Sequence, residues 1–132
     1  MITLGGAPVT WRSKIQSTVS LSTMEAEFKS ITLCVSIAIW FKIFLQELRT
    51  TIEKITIFND NQAAITTTKS NAYKGRAKHC EVHFQFTRQN IKKNGIEIKH
   101  IKSDDNIADI LTKQVGPTKL KVLKTKMNLI SP

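Results

Sequence analysis

Only two cysteines, Cys34 and Cys80, occur in 132 residues, and they lie far apart. A disulfide-rich secreted scaffold is thereby excluded, and a reducing compartment is the expected setting. Long hydrophobic runs are also lacking. The most membrane-like stretch, Ile31 to Phe41, is about half a bilayer span and stops against Lys42, so it reads as a core helix and no membrane partner is expected. No basic region followed by an apolar block and a small-residue cleavage site opens the sequence, so secretion is unsupported and the chain is placed inside the cell. Internal repeats and low-complexity segments are absent. Acids are scarce: ten stand against twenty Lys and Arg, a net charge of +10, and none precedes Glu25.

The excess charge is uneven. Met1 to Thr66 carries six basic and five acidic residues, whereas Thr67 to Pro132 carries fourteen and five. A positive field of this kind favours polyanions such as nucleic acid. With 41% hydrophobic residues the chain can close one modest core. We read one domain over 1–115, and a basic helical tail over 116–132 set off by Gly116-Pro117.

The patterning gives a strand from Val9 to about Lys14 after the turn "LGGAP", then a helix starting at Ser22 or Thr23 and running to Leu48, apolar enough to be buried on most sides. "KITIFND" gives a strand over Ile55 to Phe58, and "NQAAITTT" a second helix. "RAKHCEVHFQFTRQNIKK", Arg76 to Lys93, gives a third helix with Val82, Phe86 and Gln89 to Ile91 inward, stopped by Asn94-Gly95. "IEIKHI" alternates as a half-buried strand, and "IADILTK" opens a last helix. This order suits an α/β fold of sheet strands joined by crossover helices.

Three acids fall at comparable places: Glu25 in a first helical turn, Asp60 just after a strand, and Asp109 at the start of a helix that follows a strand. Each has an ordinary reading as a helix cap, Glu25 with Ser22, Asp109 with Asn106, and Asp60 for the second helix. Jointly they could supply oxygens to Mg²⁺, which takes a few carboxylates and keeps waters. Two such ions could polarise a phosphoryl oxygen and stabilise the leaving oxygen. Glu25 and Glu27 lie roughly 200° apart on a helix and cannot share a face.

Four blocks in order, "VTWRSKIQSTVSLSTMEAEF", "IFNDNQAAI", "RAKHCEVHFQFTR" and "NIADILTK", resemble the successive motifs of the ribonuclease H domain of copia-type LTR retrotransposon Pol polyproteins, over nearly the whole chain. The resemblance implies a ribonuclease H-like mixed sheet flanked by helices. It also implies Mg²⁺- or Mn²⁺-dependent hydrolysis, with two ions, of the RNA strand of an RNA/DNA hybrid during reverse transcription. Carried over by position, Glu25, Asp60 and Asp109 are the expected catalytic and metal-binding acids, with Glu25 facing the metal and Glu27 solvated. An upstream reverse transcriptase domain of the polyprotein is the implied partner, and the cytoplasm, a virus-like particle or the nucleus the implied location. Met24, Glu81 and Gln114 replace the family's usual Thr, Asp and Pro. The family's first strand, with its Asp, and most of the second have no counterpart in the sequence, so the isolated chain is expected to be impaired or inactive.

Lys74, Arg76, Lys78 and Arg88 surround the third helix and, with His79, are the candidate nucleic-acid contacts; resemblance puts Lys78 and His79 near the substrate groove. His79 and His83 have the spacing of two zinc ligands, yet no third or fourth is evident. His100 reads as a surface residue, and Trp11 and Trp40 as core. The rival functions are a non-catalytic nucleic-acid-binding module and a retrotransposon relic.

Overall fold

The computed structural model describes residues 1–13, 16, 20, 22–70 and 78–129, excluding the side chains of 78–80. The chain divides into two compact units, one made of Met1–Val19 with Lys102–Pro132 and the other of Ser20–Ile101. Its mixed helices and strands agree with the expected α/β class.

The first unit begins with a hairpin of β1 (Ile2–Leu4) and antiparallel β2 (Ala7–Thr10). The turn is Gly5-Gly6, both at positive φ (60° and 83°), which a two-residue hairpin loop of this twist requires. The expected strand from Val9 to Lys14 therefore ends sooner within the described residues, at Thr10, and Trp11 is 62% exposed rather than core. Later in this unit, the expected helix at "IADILTK" is instead one short 3-10 segment, Ile107–Leu111. It cannot lengthen far, because Gly116 adopts an extended conformation before Pro117 opens helix α4, Pro117–Lys126. Leu123 and Met127 are the buried residues on and just beyond α4.

Two ion pairs tie α4 to the preceding loop: Lys119 to Asp104 at 3.2 Å and Lys126 to Asp105 at 2.5 Å. The hydrogen bond and charge of Lys126 hold the Asp105 carboxyl below its ordinary range. A depressed carboxyl adds stability that is complete above its unfolded value, about 3.9, and is lost as pH falls through the folded one. Lys126→Gln should therefore flatten the acid limb of thermal melts followed by circular dichroism between about pH 5 and 2.

The second unit carries the larger core. Helix α1, Thr23–Glu47, is capped by Ser22, whose Oγ accepts from the Glu25 N–H at 3.1 Å. Strand β3, Ile55–Asn59, pairs in parallel with β4, Ile96–His100, in register from Ile55 opposite Ile96 to Asn59 opposite His100. Helix α2, Gln62–Lys69, and helix α3, Lys78–Asn94, complete the layer. Phe28, Ile31 and Val35 of α1 meet Ile57, Ala64, Ile65, Phe84, Ile96 and Ile98 in one cluster.

Only one stripe of α1 is covered. Leu33, Trp40, Ile43 and Phe44 are exposed, and Trp40 stacks on Phe44 with ring centres 5.7 Å apart. Burial on most sides, and Trp40 as core, are thus corrected: a 25-residue helix over a two-stranded sheet has more apolar surface than its neighbours cover. By length and composition α1 could also cross a membrane, although a third of its most apolar stretch is buried in the protein. On α3 the inward residues are Phe84 and Thr87, both fully buried, while Val82 and Phe86 are exposed. Ile91 packs against the core as expected, but Val82 and Phe86 lie two positions before Phe84 and after it, about 200° round the helix, and so face away from it.

A buried polar link joins α1 to α3, with Thr32 Oγ1 and Thr87 Oγ1 2.8 Å apart. Thr32 donates its single hydroxyl proton to the Phe28 carbonyl at 3.1 Å, so Thr87 is the donor between the two. Thr32→Val strands a buried donor and should cost about 1–3 kcal/mol in urea unfolding. Thr87→Val leaves Thr32 bonded and should cost less, and the double variant should recover part of the Thr32→Val loss.

Gly95 ends α3 at φ 65°, and a Cβ there would meet the Glu53 carbonyl oxygen at 3.3 Å. Gly95→Ala should destabilise the chain by about 1–2 kcal/mol in the same assay, from the left-handed backbone alone.

Candidate functional site

The carboxyl end of β3 brings together α1, the sheet and the start of α2. Asn59 is the last residue of the strand and is 9% exposed. Its Oδ1 accepts from the Asn61 N–H at 2.8 Å, and its Nδ2 donates to Glu27 Oε2 at 2.9 Å. Its backbone carbonyl accepts from the Ile101 N–H at 3.1 Å, prolonging the pairing with β4. Asp60 follows directly and is partly buried. Asn61, and not Asp60, caps α2, since its Oδ1 accepts from the Ala64 N–H at 3.0 Å. The capping explanation of Asp60 is therefore removed.

Glu27 is the acid that meets the strand end. It is partly buried and bonded to Asn59, which corrects the expectation that it is the solvated one. The core stripe at Phe28, Ile31 and Val35 fixes the rotation of α1 and turns Glu27 to one flank and Glu25 to the other. Glu25 pairs with Lys29 at 2.8 Å, both side chains largely covered, and Lys29 also donates to Ser20 Oγ at 3.2 Å.

Asp109 belongs to the other unit and is buried. It accepts from Asn106 Nδ2 at 3.1 Å and from Lys113 Nζ at 2.9 Å, while Asn106 Oδ1 caps the turn through the Ala108 N–H. Asn106 is the cap as expected, but Asp109 answers its side-chain amide and not its backbone N–H, which bonds to the Ser103 carbonyl, and Lys113 also meets the charge. Among the described residues, no three His, Cys, Asp or Glu side chains gather to hold an ion by themselves.

Of the basic candidates, Arg88 lies over the Phe84 ring, 5.5 Å from its centre, and so covers the core as well as carrying charge. Lys74 and Arg76, and the side chains of Lys78, His79 and Cys80, lie outside the described residues; His83 and His100 are exposed. Cys34 is a free thiol against the core, its pKa pushed up by burial. The sequence reading missed Asn59 altogether. Its only signal was an amide at the last position of a strand beside an acid.

Aligned against known proteins, the chain is 34% identical over 131 residues to the retrovirus-related Pol polyprotein from transposon TNT 1-94 of Nicotiana tabacum, covering 99% of the chain and 10% of that protein. It is 28% identical to those from transposons RE1 and RE2 of Arabidopsis thaliana, covering 98% of the chain and 9% of each. The similarity is to one segment of these transposon Pol polyproteins. The chain spans about a tenth of the length of these curated relatives. No family model and no solved structure matches it.

Within that segment, the groups at the β3 end that can bind a cation are hard oxygen donors, the carboxylates of Glu27 and Asp60. Mg²⁺ is commonly held by one or two carboxylates with retained waters and substrate phosphates, so the donor kind fits.

Proposed function

We propose that the chain is a ribonuclease H-like segment of a copia-type Pol polyprotein that acts on the RNA strand of an RNA/DNA hybrid. The support is the contact between Asn59 and Glu27 beside Asp60, which sets one helix acid and one strand-end acid at the same end of a parallel sheet. Sites in α/β proteins gather at such strand ends. Glu27 and Asp60 are the acids we assign to a divalent ion, and Glu25 is assigned to the ion pair with Lys29; Asp109, in the other unit, keeps only the role that the resemblance implies. A bound Mg²⁺ would polarise a phosphoryl oxygen and lower the pKa of a water. The chain's own residues would orient the ion, and the lysines and arginines of its basic half would hold phosphates without reading sequence.

The test is cleavage of an end-labelled RNA/DNA hybrid with Mg²⁺. It is run on the chain alone and on the chain with an Asp-bearing strand added before Met1, because the resemblance implies such a strand in the centre of the sheet. If neither form, shown to be folded, cuts the RNA, the reading fails.

A second reading, a non-catalytic nucleic-acid-binding module, is favoured by the lysines that pair with Glu25 and Asp109. It predicts hybrid binding that falls steeply with salt, does not respond to Mg²⁺ and leaves the RNA intact.

A further inference from the structure

Asn59 makes three directed contacts at one point, and their polarity is fixed by chemistry. The Asn61 backbone N–H can only donate, so the amide oxygen must face it. The amide NH₂ is then left to face Glu27 Oε2, which accepts. The carbonyl of Asn59 is bound by Ile101, so the residue cannot shift along the strand without breaking the link to β4. Glu27 leaves α1 as a flexible side chain with no other described bond to the strand. A single amide therefore selects its rotamer and fixes where its second carboxylate oxygen points.

We infer that Asn59 is a positioning residue: it does not touch substrate, but orients Glu27 for a divalent cation at the β3 end and ties that acid to the start of α2. This rests on the assignment of Glu27 and Asp60 to the ion. Partners of this kind, bonded to a ligating carboxylate, typically control metal affinity by about 10–100-fold.

The test is Mn²⁺ binding, followed by electron paramagnetic resonance and isothermal titration, on the whole chain and three variants, with a thermal melt of each. Glu27→Gln should abolish binding. Asn59→Leu should weaken it by about 10–100-fold while the chain stays folded. Asn61→Ala removes the α2 cap but not the Glu27 contact, so it should lower the melting temperature and leave Mn²⁺ affinity unchanged. If Asn59→Leu binds Mn²⁺ as tightly as the unaltered chain while Glu27→Gln does not bind, the positioning role is overturned and the ion assignment survives. Equal weakening in Asn59→Leu and Asn61→Ala also overturns it, since loss of the strand-to-helix turn would then explain both. An unaltered chain that binds no Mn²⁺ overturns the ion assignment, and the positioning role with it.

Discussion

Glu27→Gln removes hybrid cleavage, lowering the rate by about 10²–10³-fold in whichever form of the chain cuts, whereas Glu25→Gln keeps most of it. The two residues are one alanine apart and chemically identical, so the contrast isolates geometry. Glu27 reaches Asn59 at the end of β3, and Glu25 is taken up by Lys29 on its own helix. Gln keeps the size of Glu and can still meet Asn59 through its amide oxygen, which makes loss of folding a poor explanation of loss of rate. The measurement is single-turnover cleavage of a labelled hybrid, with circular dichroism to show that each variant is folded. Equal loss in both variants, or a larger loss in Glu25→Gln, would return the metal-facing role to Glu25. Asp60→Asn should match Glu27→Gln, because the side-chain cap of α2 is supplied by Asn61 and is kept in that variant.

That contrast marks the limit of what the sequence could convey. Spacing showed that Glu25 and Glu27 occupy different faces, but deciding which one meets the sheet requires the rotation of α1 about its axis. Its apolar residues ring the helix, leaving Leu33, Trp40 and Phe44 outside the stripe that is buried, and so periodicity gives no clear inner direction. The same ambiguity placed Val82 and Phe86 inward, whereas Phe84 and Thr87 hold that side. Strands β3 and β4 were legible because their β-branched runs are short and bounded, with Gly95 just before β4 marking the break. Asn59 was not legible, since an amide at a strand end has no periodic signature and its value appears only when Glu27 comes across from a residue 32 positions away. The ion pairs of Asp104 and Asp105 are likewise not visible in the sequence, since their partners Lys119 and Lys126 lie 15 and 21 positions away on α4.

Phe84→Ala is the substitution with the greatest expected effect on stability, about 3–5 kcal/mol. Phe84 is fully buried on α3, its ring centre 6.2 Å from that of Phe28 on α1, and Arg88 closes over its outer face. Because α1 and α3 pack on the same small sheet, few other side chains are large enough to fill the space left behind, and the cavity term adds to the lost transfer energy. A loss of this size is comparable to the whole stability of a modest domain. The variant should therefore be partly unfolded in water at 25 °C, seen as a collapsed urea midpoint and loss of protection of the α3 amides in hydrogen exchange. Phe84→Leu keeps most of the volume and should fall well short of that loss. A small effect of Phe84→Ala would mean that α1 and α3 are not held together at this point, and the rotation of α1 that brings Glu27 to Asn59 would lose its support.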